Sequence, residues 1–197
     1  MLVFSKAKLV ILSVPKTGTT AMESFLGPHA DILVKEPPEL KHAPVYRYNR
    51  FFRPMLEKFV GPGIETMAVM REPVSWLGSW YRYRRRPFME GKPNATHGIS
   101  FDDFVLAYCQ GKRPGFANVG SQAKFLEPQP NGTRVDHLFR YEDQPAIVGF
   151  LETRLGLTLD LPRENVSPSM ALTLSPAVEE KLRRKCAEEF TLWESLG

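Results

Sequence analysis

Residues 8–27 read KLVILSVPKTGTTAMESFLG, and their pattern sets the fold class. Leu9 to Val14 is a short, almost wholly apolar run, the signature of a strand buried on both faces of a parallel sheet. A helical pattern follows from Thr19 to Leu26, with Gly27 placed to end it. Between them stands Pro15-Lys16-Thr17-Gly18-Thr19-Thr20, a lysine, a glycine and three threonines at a strand-to-helix turn. Backbone N–H groups at such a helix start, aided by the helix dipole, form an anion cradle. Gly18 lets a ligand approach the backbone, the three threonines offer hydroxyl donors, and Lys16 adds a mobile positive charge.

Further strands and helices alternate along the chain. Residues 29–35 (HADILVK) suggest a second short strand, residues 46–63 a helix ended by Gly-Pro-Gly, and Glu65 to Arg71 an apolar strand. Pro73 suits the first turn of the next helix, and Ser100 caps another that Gly111 stops. A short helix at SQAKFL, a strand in RVDHLFRYED and a helix over PAIVGFLETRLG follow. Ser175-Pro176 opens one long amphipathic C-terminal helix. The alternation predicts an α/β fold of three layers, a central, mostly parallel sheet flanked by helices.

With 197 residues the chain reads as one domain spanning 1–197. Apolar residues are 43% and charged residues 24%, the balance of a soluble globular protein. The apolar run Leu9 to Leu12 is too short for a signal peptide or a membrane span, so the N-terminus reads as the first core strand. Cys109 and Cys186 are distant in sequence and lack metal-ligand spacing. They read as free thiols in a reducing compartment, which implies a cytoplasmic location. N-x-[ST] patterns at Asn94, Asn131 and Asn165 carry no weight without a secretory signal. A net charge of +4 suits a polyanionic ligand without demanding nucleic acid.

The loop is not a Walker A motif, because Lys16 precedes the only glycine instead of following a second one. The strand ending in Arg71 lacks the acidic residue that would hold Mg²⁺. Arg71, a charged fork, and Ser79, eight residues on in the helix that Pro73 opens, are instead placed to converge on one phosphate.

PKTGTT followed by REPVSWLGSWY resembles the sulfotransferases that use 3′-phosphoadenosine 5′-phosphosulfate (PAPS). LFRYEDQPAIVGFLETRLGL resembles the strand, Y-E-D turn and helix found later in such chains. The resemblance runs from Leu9 to about Leu196. It implies a P-loop-like fold and metal-independent in-line transfer of a sulfuryl group to a hydroxyl or amine of a carbohydrate or small-molecule acceptor. It implies that Lys16 stabilises the departing 3′,5′-diphosphoadenosine, that Thr17, Gly18, Thr19 and Thr20 cradle the 5′-phosphate, and that Arg71 and Ser79 hold the 3′-phosphate. Ala21 stands where cytosolic small-molecule sulfotransferases carry a tryptophan, which leans toward the carbohydrate-modifying branch and leaves adenine stacking unassigned.

A general base is expected in VKEPPELKHAP, with His42 favoured, Glu36 in reserve and Glu39 also available. Arg82 to Arg86 (RYRRR) reads as the solvated end of a helix rather than a nucleic-acid grip. Gly120 to Gln122 reads as a plain helix start or part of an acceptor pocket. Two rival readings are a P-loop ATP-dependent kinase and a non-catalytic nucleotide-binding homologue. Acceptor identity and oligomeric state stay open.

Overall fold

The computed structural model describes residues 1–159 and 170–196. In chain order the elements are β1 (Leu2–Phe4), β2 (Leu9–Ile11), α1 (Thr19–Leu26), β3 (Ile32–Leu33), α2 (Pro38–Lys41), α3 (Val45–Arg47), α4 (Arg53–Phe59) and β4 (Glu65–Met70). There follow α5 (Pro73–Arg84), α6 (Phe101–Tyr108), α7 (Gln122–Leu126), β5 (His137–Arg140), α8 (Gln144–Leu155), α9 (Pro176–Lys185) and α10 (Ala187–Glu194). The fold is α/β, and the chain forms two compact units. One holds residues 1–71 and 122–159, the other residues 72–121 and 170–195.

The first unit contains a five-stranded sheet in the order β3-β1-β2-β4-β5. β2, β4 and β5 run parallel, with Leu9 opposite Glu65 and Met67 opposite His137. β1 is antiparallel to both β2 and β3. The sheet is therefore mixed, which corrects the mostly parallel arrangement expected from sequence. The cause is local. Only Ser5 to Lys8 separates β1 from β2, closed by Lys8 N–H donating to the Ser5 carbonyl at 3.1 Å, and so short a link permits only a hairpin. What reads as one N-terminal strand is thus two.

Leu2, Leu9, Met67, Ile147 and Leu151 are fully buried in one cluster that joins the sheet to α1 and α8. The alternate strand residues Val3, Val10, Ala68 and Met70 are equally buried, as strands covered on both faces require. The helix expected over residues 46–63 forms from Val45 to Phe59, but through a π turn at Tyr48–Phe52. Pro54 lacks an N–H and its ring crowds the Arg50 carbonyl four residues back, which the wider turn relieves.

The second unit packs α5, α6, α9 and α10 around Trp76, Tyr81, Phe104, Tyr108, Leu182 and Phe190. The Glu72 carboxylate caps α5 by accepting from Val74 N–H at 3.0 Å and Ser75 N–H at 2.6 Å, with Pro73 at the first turn. Ser100 caps α6, its hydroxyl accepting from Asp103 N–H at 3.1 Å. The single C-terminal helix expected from sequence is two, broken at Cys186 (φ −125°, ψ 37°). Buried Val178, Leu182, Cys186 and Phe190 recur every fourth residue, a stripe that drifts about 40° per step around a straight helix. The break brings Phe190 back to the core.

Among the described residues no helix is long and apolar enough to cross a membrane. Asn165 lies outside the described residues.

Candidate anion-binding site

The site grows from the carboxyl ends of the three parallel strands, all within the first unit. β2 leads into the loop at residues 14–18, which is pinned on the sheet by Leu12 N–H donating to the Met67 carbonyl at 2.8 Å. Lys16 (φ 68°) and Gly18 (φ 79°) both adopt the left-handed conformation on either side of Thr17. That conformation is uncommon for a lysine and costs of order 1–3 kcal/mol, a strain that clusters at ligand sites. Gly18 is the N-cap of α1, and no side chain caps the helix. The first-turn N–H groups of such a helix lack intrahelical partners and carry the positive end of its dipole.

Thr17 departs from the sequence expectation. It is 1% exposed, and its hydroxyl donates to the Val14 carbonyl at 2.8 Å. The hydroxyl therefore braces the loop, leaving the Thr17 backbone N–H as its possible ligand donor. Thr19 is buried, whereas Gly18 and Thr20 are exposed and Lys16 is half-buried.

β4 delivers Arg71. Its backbone is clamped by the buried Gln122 side chain, which accepts from Arg71 N–H at 2.9 Å and donates to the Arg71 carbonyl at 2.8 Å. Gln122 thus continues the ladder where β4 leaves the sheet. Gln122 also opens α7, so the helix start expected at Gly120 to Gln122 forms there. β5 delivers Tyr141, whose N–H donates to the Met70 carbonyl at 2.7 Å. The Arg71 guanidinium lies 4.5 Å from the Tyr141 ring centroid, a cation–π distance. The same ring borders the loop: a methyl group at Gly18 would meet Tyr141 Cε2 at 3.3 Å. Gly18, Arg71 and Tyr141 therefore meet at one edge of the sheet, where open α/β folds bind ligands.

His42 lies in the segment after α2. Its Nδ1 hydrogen-bonds the Ser13 carbonyl at 2.7 Å, at the root of the loop. A carbonyl only accepts, so the neutral imidazole carries its proton on Nδ1 and a lone pair on Nε2. Burial lowers the His42 pKa from its ordinary value, against the opposing effect of the Ser13 hydrogen bond, with Lys41 adding to the decrease. The neighbouring Lys41 Nζ pairs with Glu23 of α1 at 2.8 Å, fastening this segment to the helix that the loop caps. Glu23 is 7% exposed.

Glu36 and Glu39 are exposed on and before α2. Ser79 is buried on α5, in the second unit, while Arg71 belongs to the first.

Arg82 to Arg86 close α5 and follow it with Arg86 exposed, but Arg84 turns inward, which the solvated helix end expected from sequence does not include. Arg84 is 8% exposed and donates to the carbonyls of Gly115 at 2.6 Å and Asn118 at 3.0 Å. Arg85 donates to the Tyr81 hydroxyl at 2.6 Å, and Arg86 lies over the Tyr83 ring. The Arg84 guanidinium also lies 5.4 Å from the Trp80 ring centroid.

Tyr141 and the Lys41–Glu23 pair have no assigned role in the sequence reading, and the Gln122 clamp on Arg71 is not foreseen there. A buried glutamine at a loop end leaves no periodic signal, and an ion pair between α1 and α2 has none at all. Comparison with protein-family models and with curated proteins finds no match for this chain.

Proposed function

We propose that this chain is a PAPS-dependent sulfotransferase acting on a hydroxyl or amine of a carbohydrate or small-molecule acceptor. The observation that carries the reading is the meeting of Gly18, Arg71 and Tyr141 beside two left-handed loop residues and an uncapped helix start. This edge offers backbone donors, a helix dipole and a guanidinium to an anion, and it fits a phosphate group.

In this reading Thr17, Gly18, Thr19 and Thr20 hold the 5′-phosphate through the loop and first helical turn. Lys16 lies beside the reacting centre and stabilises charge on the departing diphosphoadenosine. Arg71 holds the 3′-phosphate, which distinguishes the donor from ATP. The bound donor supplies an activated sulfuryl group, and the chain supplies orientation and charge stabilisation. His42 Nε2 takes the acceptor proton, because its Nδ1 is engaged by Ser13 and burial keeps the ring neutral. Glu36 is the reserve base.

The test is thermal stability with 3′,5′-diphosphoadenosine and with ATP, each with and without Mg²⁺. At about 100 times the dissociation constant the ligand adds ~2.7 kcal/mol, roughly 5–11 °C at this size. A metal-independent shift with diphosphoadenosine that Arg71→Ala abolishes supports the cradle. Transfer of labelled sulfate from PAPS to an acceptor panel then supports catalysis. A shift with Mg²⁺-ATP alone sinks the reading.

A further inference from the structure

The helical segment from Val45 to Phe59, in the first unit, has an outer face that the proposed chemistry does not use. Its inner face is seated by the buried side chains of Val45, Tyr48 and Leu56. Asn49 Oδ1 fastens it further, accepting from the Thr133 hydroxyl at 2.7 Å and from Asn131 Nδ2 at 2.9 Å. The outer face is apolar, where a surface helix ordinarily carries polar residues. Phe51 is 57%, Met55 41% and Phe59 77% exposed, and Phe59 is the most exposed large hydrophobic side chain among the described residues. The three recur every fourth residue, which places them in one stripe along the helix.

Cations border this stripe. The segment holds four basic residues, Arg47, Arg50, Arg53 and Lys58, and one carboxylate, Glu57. Arg53 pairs with Glu57 at 2.7 Å, so the surplus of positive charge falls on Arg47, Arg50 and Lys58. The Arg50 guanidinium lies 5.3 Å from the Phe51 ring centroid, and Lys58 Nζ lies 5.4 Å from that of Phe59. Arg47 stands in the same relation to the exposed Tyr46, at 5.5 Å. Exposed rings each accompanied by a cation match the two layers of a bilayer interface. The rings enter the acyl boundary, while Lys and Arg keep their charged heads among anionic headgroups. A protein partner is a poorer fit, because three partly exposed side chains supply well under the ~800 Å² per partner of a stable interface.

We propose that this segment docks the protein on an anionic membrane surface, with Phe51, Met55 and Phe59 entering the headgroup boundary and Arg47, Arg50 and Lys58 meeting the negative headgroups. The segment lies on the bilayer and does not span it, since among the described residues no helix is long and apolar enough to cross a membrane. The two kinds of residue contribute separately. Burial of the stripe holds the protein to the surface, and the cations select negative lipid and make the binding sensitive to salt. Neither part requires the nucleotide chemistry proposed above.

The experiment mixes the full chain with vesicles of phosphatidylcholine, alone or with about 30% phosphatidylserine, and measures the fraction that sediments with lipid. The wild type should bind the anionic vesicles at low salt, stay free of the neutral ones, and be released as salt rises. Arg50→Gln with Lys58→Gln should weaken binding roughly 30-fold, at about fivefold per cation. Phe51→Ser with Phe59→Ser should weaken it at least about tenfold and leave the melting curve in place, because both side chains are exposed. In Phe59→Trp, the emission added over the wild-type spectrum should move to shorter wavelength on anionic vesicles. A wild type that does not sediment with anionic vesicles would overturn the proposal. Undiminished binding by the phenylalanine variant would reduce the attraction to net charge and overturn it equally. A wild-type dimer in ultracentrifugation that the same variant disperses would give the stripe to a second copy of the chain, with the same consequence. Unshifted emission from Phe59→Trp decides against membrane insertion even if the double variant fails to fold.

Discussion

Replacing Gly18 with alanine tests the loop geometry and the anion cradle together. Gly18 has φ 79°, and its new methyl group would meet Tyr141 Cε2 at 3.3 Å. A left-handed non-glycine residue costs about 1–2 kcal/mol, and the ring must move by a few tenths of an ångström. Gly63 provides a matched control, because its φ is also 79° and nothing lies within 4 Å of a methyl placed there. Both variants should therefore lose about 1–2 kcal/mol of stability from backbone strain, a fall in Tm of roughly 2–8 °C at this chain length. They should differ in ligand response. Gly18→Ala places a methyl where the backbone must approach the phosphate, and a tenfold loss of affinity, about 1.4 kcal/mol, is the smallest effect expected. The diphosphoadenosine-induced rise in Tm should then shrink by roughly 3–6 °C, while Gly63→Ala keeps the full wild-type rise. Differential scanning fluorimetry with and without ligand reads both quantities. Equal ligand shifts in the two variants would refute the placement of the cradle at Gly18.

Three further outcomes follow from the same geometry. Gln122→Leu leaves the N–H and carbonyl of Arg71 without their side-chain partners, and should cost about 2–4 kcal/mol by urea denaturation. A loss under about 0.5 kcal/mol would show that the clamp does not matter. His42 should titrate below the ordinary histidine value of about 6.5 by NMR, because burial disfavours its charged form. The unfolded chain then binds the proton more readily, so the contribution of His42 to stability is present above about pH 6.5 and declines as pH falls below it. A midpoint above that value would contradict its proposed role as a neutral base. Ile147→Ala, at a fully buried position in the core of the first unit, should destabilise by about 2–5 kcal/mol in the same denaturation assay. A smaller loss would mean that the core re-closes around the gap.

The sequence by itself determined what depends on neighbours in the chain. The strand after Lys8, α1 from Thr19 to Leu26, the start of α5 at Pro73 and the Ser100 cap are legible because periodicity, a fixed proline φ and a capping hydroxyl act within a turn or two. The lysine, glycine and threonines after β2 likewise mark a candidate anion loop. Tertiary structure decided what depends on partners far along the chain. Gln122 reaches back 51 residues to clamp Arg71, Tyr141 closes over Gly18, and Lys41 ties the His42 segment to Glu23. Arg84, read as solvated, turns inward because the Gly115 and Asn118 carbonyls and the Trp80 ring receive it. Local pattern encodes conformation through forces that act over a few residues, whereas the direction of a side chain and the partner it meets are fixed only when the elements pack.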